Sequence, residues 1–208
     1  MNDPYFYKDC AVLQNRLGVK NSELLDKIEV DISCNAIYEV SLVPIIGNYD
    51  FTHFCSFHAH IFGDIYEWAG KPRIVPMEKA EPILGYMSIE YSPPNDIEHM
   101  ATKILNQINA VDWTSLSLDE QAKELSEGFA QLWKIHPFRE GNTRTIITFM
   151  CQFVESKGIS IDRELFEKNA IYTRNALVAS TAIFSGGDYR KPEFLFNIMK
   201  DSLERGLK

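Results

Sequence analysis

The sequence predicts an all-α domain that carries one small β-hairpin. Two observations predict the helices. Apolar residues recur at helical spacing through most of the 208 residues, and helix-start residues precede those runs. A third observation predicts the hairpin. Residues 71–94 hold prolines at 72, 76, 82, 93 and 94 and a glycine at 85, which exclude a long helix. Arg73–Val75 and Met87–Tyr91 within that stretch read as two short strands of a flap. With no repeat, linker or low-complexity stretch, the chain reads as a single domain over 1–208. An N-terminal arm and helix occupy 1–48, the flap hairpin 71–94, and a functional loop 136–145.

The elements follow in order. The aromatic cluster Tyr5-Phe6-Tyr7 belongs to an irregular arm, with a short helix expected over Ala11–Arg16. Asn21 or Ser22 caps a helix to about Val40 that sets Leu24, Leu25, Ile28, Ile32 and Ala36 on one face. Asp50 or Thr52 starts the next, through Phe54, Phe57, Ile61 and Ile65 to about Trp68, with Gly70 ending it. Asp96 caps a helix to about Val111. Ser117 and Glu120 form a capping box for a helix that buries Ala122, Leu125, Phe129, Leu132 and Trp133. A helix after Asn142 is apolar over a wide arc, so it belongs at the centre, and Gly158 ends it. Helices over 163–169, 172–184 and 192–204 complete the chain, with Gly186-Gly187 as a break.

Composition narrows the function classes. Hydrophobic content of 45% and charged content of 24% suit a soluble globular protein. Lys+Arg 21 against Asp+Glu 29 gives a net charge of -8, which argues against direct nucleic-acid binding. No apolar run approaches the roughly 20 residues of a membrane span, and no signal peptide is visible. Cys10, Cys34, Cys55 and Cys151 show no CxxC spacing, so free thiols in a reducing cytoplasm are expected. His53, His58 and His60 lack partners at ligand spacing and read as polar or satisfied imidazoles rather than a metal site.

The chemistry concentrates in Ile135–Thr145, I-H-P-F-R-E-G-N-T-R-T. Gly141, Asn142 and Thr143 lead into a helix N-terminus, where unpaired N–H groups and the dipole favour an anion. Arg144 is unfavourable for that dipole but well placed for a phosphate. Glu140 beside phosphates calls for a bridging cation, for which Mg²⁺ is the natural choice. His136 is the one side chain here able to act as a base near neutral pH. Pro137 fixes its backbone, and Phe138 anchors the loop.

The run H-P-F-R-E-G-N-T-R-T at 136–145 resembles the signature H-x-F-x-[DE]-G-N-G-R-x-x-R of Fic-domain proteins. The likeness extends to Asp3-Pro4-Tyr5, to 13–18 (L-Q-N-R-L-G), to Gly47-Asn48-Tyr49-Asp50 and to 64–73 (D-I-Y-E-W-A-G-K-P-R). The resemblance implies a helical core with a flap, and AMP transfer from ATP to a hydroxyl of a protein, with release of pyrophosphate. It implies His136 as base, Glu140 as the Mg²⁺ ligand, and Gly141, Asn142, Thr143 and Arg144 around the phosphates. Ile74, Val75 and Lys79 would align the target by strand-like pairing. Tyr172 and Asn175 fall where the family builds its adenine and ribose pocket.

Two positions depart from the signature. Thr143 replaces the second glycine, and Ile147 replaces the second arginine, which in the family grips the terminal phosphate. The departures admit another nucleotide donor, or a non-catalytic nucleotide-binding module. The family's inhibitory glutamate pairs with that same arginine, from a helix of pattern [ST]-x-x-x-E-[GN]. The stretch Ser33–Val40, with Ser33 and Glu39, is a degenerate match in which Glu39 would lack its usual partner. The implied partners are ATP, a protein substrate and a small antitoxin.

Overall fold

The computed structural model describes residues 3–207, so Met1, Asn2 and Lys208, the ends of the expected arm and last helix, lie outside the described residues. The eight helices found among them are α1 (Ser22–Leu42), α2 (Phe51–Phe62), α3 (Ile97–Ala110), α4 (Leu118–Ile135), α5 (Asn142–Ser156), α6 (Arg163–Lys168), α7 (Ala170–Ser180) and α8 (Glu193–Gly206). One antiparallel pair, β1 (Ile183–Phe184) with β2 (Gly187–Asp188), completes the fold. No helix among the described residues is long and apolar enough to cross a membrane.

The helix starts obey side-chain chemistry. Asn21, Asp50 and Asp162 each accept an N–H of the first turn of α1, α2 and α6. Ser117 and Glu120 make the expected capping box on α4. Asp96 precedes α3 without a side-chain cap bond. Helix α5 is the centre of the core. Phe149 and Met150 have no exposed surface, and Ile146, Phe153 and Val154 are equally buried. Phe149 meets Phe54, Phe57 and Phe129 edge-on or tilted, arrangements that aromatic quadrupoles favour. Gly158, at φ +75°, follows the helix end.

Four expectations are corrected. The arm forms no helix over 11–16; it folds back through a bridge between Phe6 and Leu13. Helix α2 stops at Phe62, because the chain turns at Gly63 and the residues to Gly70 are turns. The stretch 71–94 forms no two-stranded ladder. Its prolines remove the donors a ladder needs, and the segment closes on itself through a single bridge, Glu81 to Met87, around a 3-10 turn at Pro82–Leu84. Finally, α7 ends at Ser180 and the hairpin lies beyond it. Ser185 and Gly186 both take positive φ (50° and 73°), the conformation of a tight two-residue hairpin turn.

Candidate active site

The loop between α4 and α5 is held by its own residues. His136 ends α4 in the left-handed region, at φ 51° and ψ 60°, which swings the chain out of the helix. Asn142 then staples the loop: its Oδ1 accepts the Phe138 N–H at 2.9 Å and its Nδ2 donates to the Phe138 carbonyl at 2.8 Å. Phe138 is fully buried and stacks on His58 with ring centroids 3.9 Å apart. His58 donates from Nε2 to the Glu140 carbonyl at 3.0 Å and accepts the Gly70 N–H at 2.8 Å. Burial pushes its pKa down to about 3, so it is a neutral structural imidazole. His53 is likewise satisfied, by Ile45 and Tyr49. Gly141 takes φ +77°, and a Cβ there would lie 2.3 Å from the Phe62 ring; no other residue fits this N-cap without displacing core.

His136 is 2% exposed. Its Nδ1 lies 3.4 Å from the Trp133 carbonyl, and its Nε2 is buried with no hydrogen-bond partner. Burial, and then the Lys79 charge, hold its pKa well below the ordinary imidazole value. The ring is therefore neutral at pH 7, with Nε2 unpartnered. For Glu140, burial raises the carboxyl pKa, but Lys79, the Gly141 N–H and Arg144 outweigh it, leaving the group below its usual value and ionised. The Lys79 ammonium lies 3.1 Å from Glu140 Oε2, and Oε1 accepts the Gly141 N–H at 3.0 Å.

Both oxygens of this carboxylate are engaged, one by the Lys79 ammonium and the other by the Gly141 N–H, and no cluster of three or more acidic, His or Cys side chains exists among the described residues. A divalent cation here would have Glu140 as its one ligand from the chain and would have to displace Lys79 from it.

The remaining expected residues divide. Thr143 turns its hydroxyl to accept the Trp133 indole N–H at 3.0 Å. Arg144 is not free: it donates to Ser33 Oγ at 2.7 Å, ion-pairs with Glu29, and lies 4.8 Å over the Phe62 ring. Ile147 packs its half-buried side chain on the core and offers no cation. The inhibitory-helix expectation is corrected in one part. Ser33 does reach the site, but Glu39 is exposed and faces His60 at 3.5 Å; the α1 carboxylate at Arg144 is Glu29, which also accepts the Tyr66 hydroxyl. In the flap, Ile74 is exposed and its N–H meets the Tyr5 hydroxyl at 3.1 Å, while Val75 gives its carbonyl to Arg73. Tyr172 is half exposed and bonds the Phe194 carbonyl at 3.3 Å. No hydrogen bond ties Tyr172 or Asn175 to the loop.

Sequence reasoning missed two further groups. Arg73 is 1% exposed and has no carboxylate partner among the described residues. Its guanidinium instead donates to the carbonyls of His136 (2.8 Å), Val75 (2.7 Å), Ile135 (3.4 Å) and Ser92. Both ends of the flap and the end of α4 thus meet on one cation. The second group is Tyr91, whose ring stacks on His136 at 4.2 Å.

A buried neutral imidazole and an ionised carboxylate thus sit beside the N-terminus of α5 on an all-helical core. The Fic/DOC family model matches residues 48–154, and the chain belongs to that family. Protein adenylyltransferase VbhT of Bartonella schoenbuchensis is 31% identical over 168 residues, covering 80% of this chain and 34% of VbhT; the chain thus spans about a third of that relative. "Probable protein adenylyltransferase y4lH" of Sinorhizobium fredii is 32% identical over 169 residues, covering 80% of this chain and 83% of its own length. Among solved structures, the N-terminal Fic domain of a VirB-translocated Bep effector protein from Bartonella quintana, with bound ADP, superposes with a TM-score of 0.78 at 25% identity. It covers 95% of this chain and 93% of that one.

Proposed function

We propose that this chain is a protein adenylyltransferase. It moves AMP from ATP to a hydroxyl side chain of a protein, itself included, and releases pyrophosphate. The observation that carries the reading is His136 Nε2, a neutral nitrogen with no partner on the loop that starts α5. His136 takes the proton of the target hydroxyl. The freed oxygen forms its bond to the α-phosphorus as the bond from that phosphorus to the pyrophosphate oxygen breaks. The N–H groups at the start of α5 hold the phosphates, joined by Arg144 once it leaves Glu29 and Ser33, so that most of the rate comes from positioning and fixed dipoles. Glu140 would hold Mg²⁺, which would supply charge neutralisation to the nucleotide phosphates. The 71–94 segment lines up the target, Tyr172 and Asn175 border the base and ribose, and free thiols suit a cytoplasmic setting.

A second reading keeps the transfer and changes the donor. It rests on Ile147, an apolar side chain packed on the core where the family signature has its second arginine. Incubation with a panel of nucleoside triphosphates and Mg²⁺, followed by mass spectrometry, separates the two. An added AMP group from ATP supports the first, and a different nucleotidyl mass supports the second. Nucleotide binding by calorimetry with no added mass from any donor would leave a binding module and refute both.

A further inference from the structure

The catalytic nitrogen of His136 is inaccessible in this structure, and the groups that cover it form one continuous chain. Tyr91 lies on the imidazole face, with centroids 4.2 Å apart and planes 29° apart. Trp133 closes the ring from the side, edge-on at 5.1 Å. The Tyr91 hydroxyl donates to Glu81 Oε1 at 3.2 Å. Glu81 has no exposed surface, and Arg174 of α7 grips both its oxygens, at 2.8 and 3.0 Å. The flap is fastened a second time where the Glu90 N–H meets the Ile183 carbonyl of β1 at 3.2 Å.

We propose that Tyr91, Glu81 and Arg174 form a latch. In it Tyr91 covers His136, and the Glu81–Arg174 pair must part before a target hydroxyl can reach Nε2. A buried carboxylate whose two oxygens are both committed to Arg174 holds its place only while that cation stays. Arg174, by contrast, is one-third exposed and can swing into solvent without a large desolvation change. The weak joint is therefore the Arg174 side. Losing it leaves Glu81 buried and uncompensated, which drives the flap outward and lifts Tyr91 off the base. The charged groups around the imidazole are Lys79, Arg73 and Arg174. The first two stay in place when the latch opens, because Lys79 is tied to Glu140 and Arg73 to backbone carbonyls.

The inference rests on reading His136 as the base, but its test reads access rather than activity. Each histidine of the full chain is followed by its rate of carbethoxylation with diethyl pyrocarbonate, resolved by peptide mass spectrometry. His60 and His99 are exposed and give the fast reference; His53 and His58 are buried and report on the whole fold. In Arg174→Gln, His136 is expected to react about tenfold faster or more, while His53 and His58 keep wild-type rates, the signature of local opening. Tyr91→Phe keeps the ring and drops the tether to Glu81; it should accelerate His136 by about threefold and raise kcat for transfer with the KM for ATP unchanged. Unchanged His136 rates in both variants would overturn the latch, as would acceleration shared equally by His53, His58 and His136. Absence of transfer by the wild-type chain would refute the functional reading and leave these protection rates interpretable.

Discussion

At the scale of single residues, the decisive feature is what each charged group of the loop is tied to. Arg144 is held by Glu29 and Ser33, one turn apart on α1. Both are buried and sit on the stripe Leu25, Glu29, Ser33, Ala36, Val40 that faces the core. That stripe was readable: Glu29 falls in helical step with the apolar positions, an unusual place for an unpaired carboxylate. Glu39 lies off that stripe and is exposed. The two glutamates should behave oppositely. Glu29→Gln leaves a largely buried guanidinium short of its partner and should cost about 2–3 kcal/mol in urea unfolding, whereas Glu39→Gly, at an exposed pair with His60, should cost under about 1 kcal/mol from the lost pair and helix propensity. Equal costs would show that Glu29 does not anchor Arg144. Nothing in the sequence marked Tyr91, since an aromatic at a strand-like position carries no sign of what it stacks on.

At the scale of elements, caps and cores were legible and ends were not. The α4 capping box, the Asn21 cap and the central place of α5 follow from local side-chain chemistry, which the sequence states outright. The end of α2 and the hairpin position depend on tertiary context. Gly63 and the turns after it serve to bring Gly70 onto His58. Ser185-Gly186 can turn a hairpin or end a helix equally well until β1 has β2 to pair with and the Glu90 N–H of the flap to accept. The loop between α4 and α5 is the most constrained piece. Gly141→Ala would add both a disfavoured φ and a collision with Phe62, and should destabilise by about 2–4 kcal/mol; a melting temperature within a degree of wild type would contradict the packing described. Arg73→Lys should lose the fork that joins the two flap ends to α4. Amide exchange is then expected to speed up in residues 75–92 while α5 stays protected. Uniform exchange across both would assign Arg73 to the core rather than to the flap hinge.

At the scale of the whole molecule, two buried imidazoles set the pH response. His58 is pushed down to about 3 and His136 well below its ordinary value, each first by burial. The unfolded chain binds protons at these groups near pH 6.5 and the folded chain does not. Stability is therefore complete above that pH and falls as pH drops below it. His58 alone should cost about 2 kcal/mol at pH 5, with His136 acting in the same direction. Stability in urea that is flat between pH 7.5 and 5 would contradict the burial of both rings.

The claim on which the account depends is that His136 drives AMP transfer at this loop. The most direct measurement incubates the wild-type chain and His136→Ala, with Mg²⁺ and a cell lysate, against ATP labelled at either the α- or the γ-phosphate. The account predicts protein-bound label from the α-labelled nucleotide alone, lost in His136→Ala while ATP binding by calorimetry persists. Label from the γ-phosphate, or α-label undiminished in His136→Ala, would contradict it.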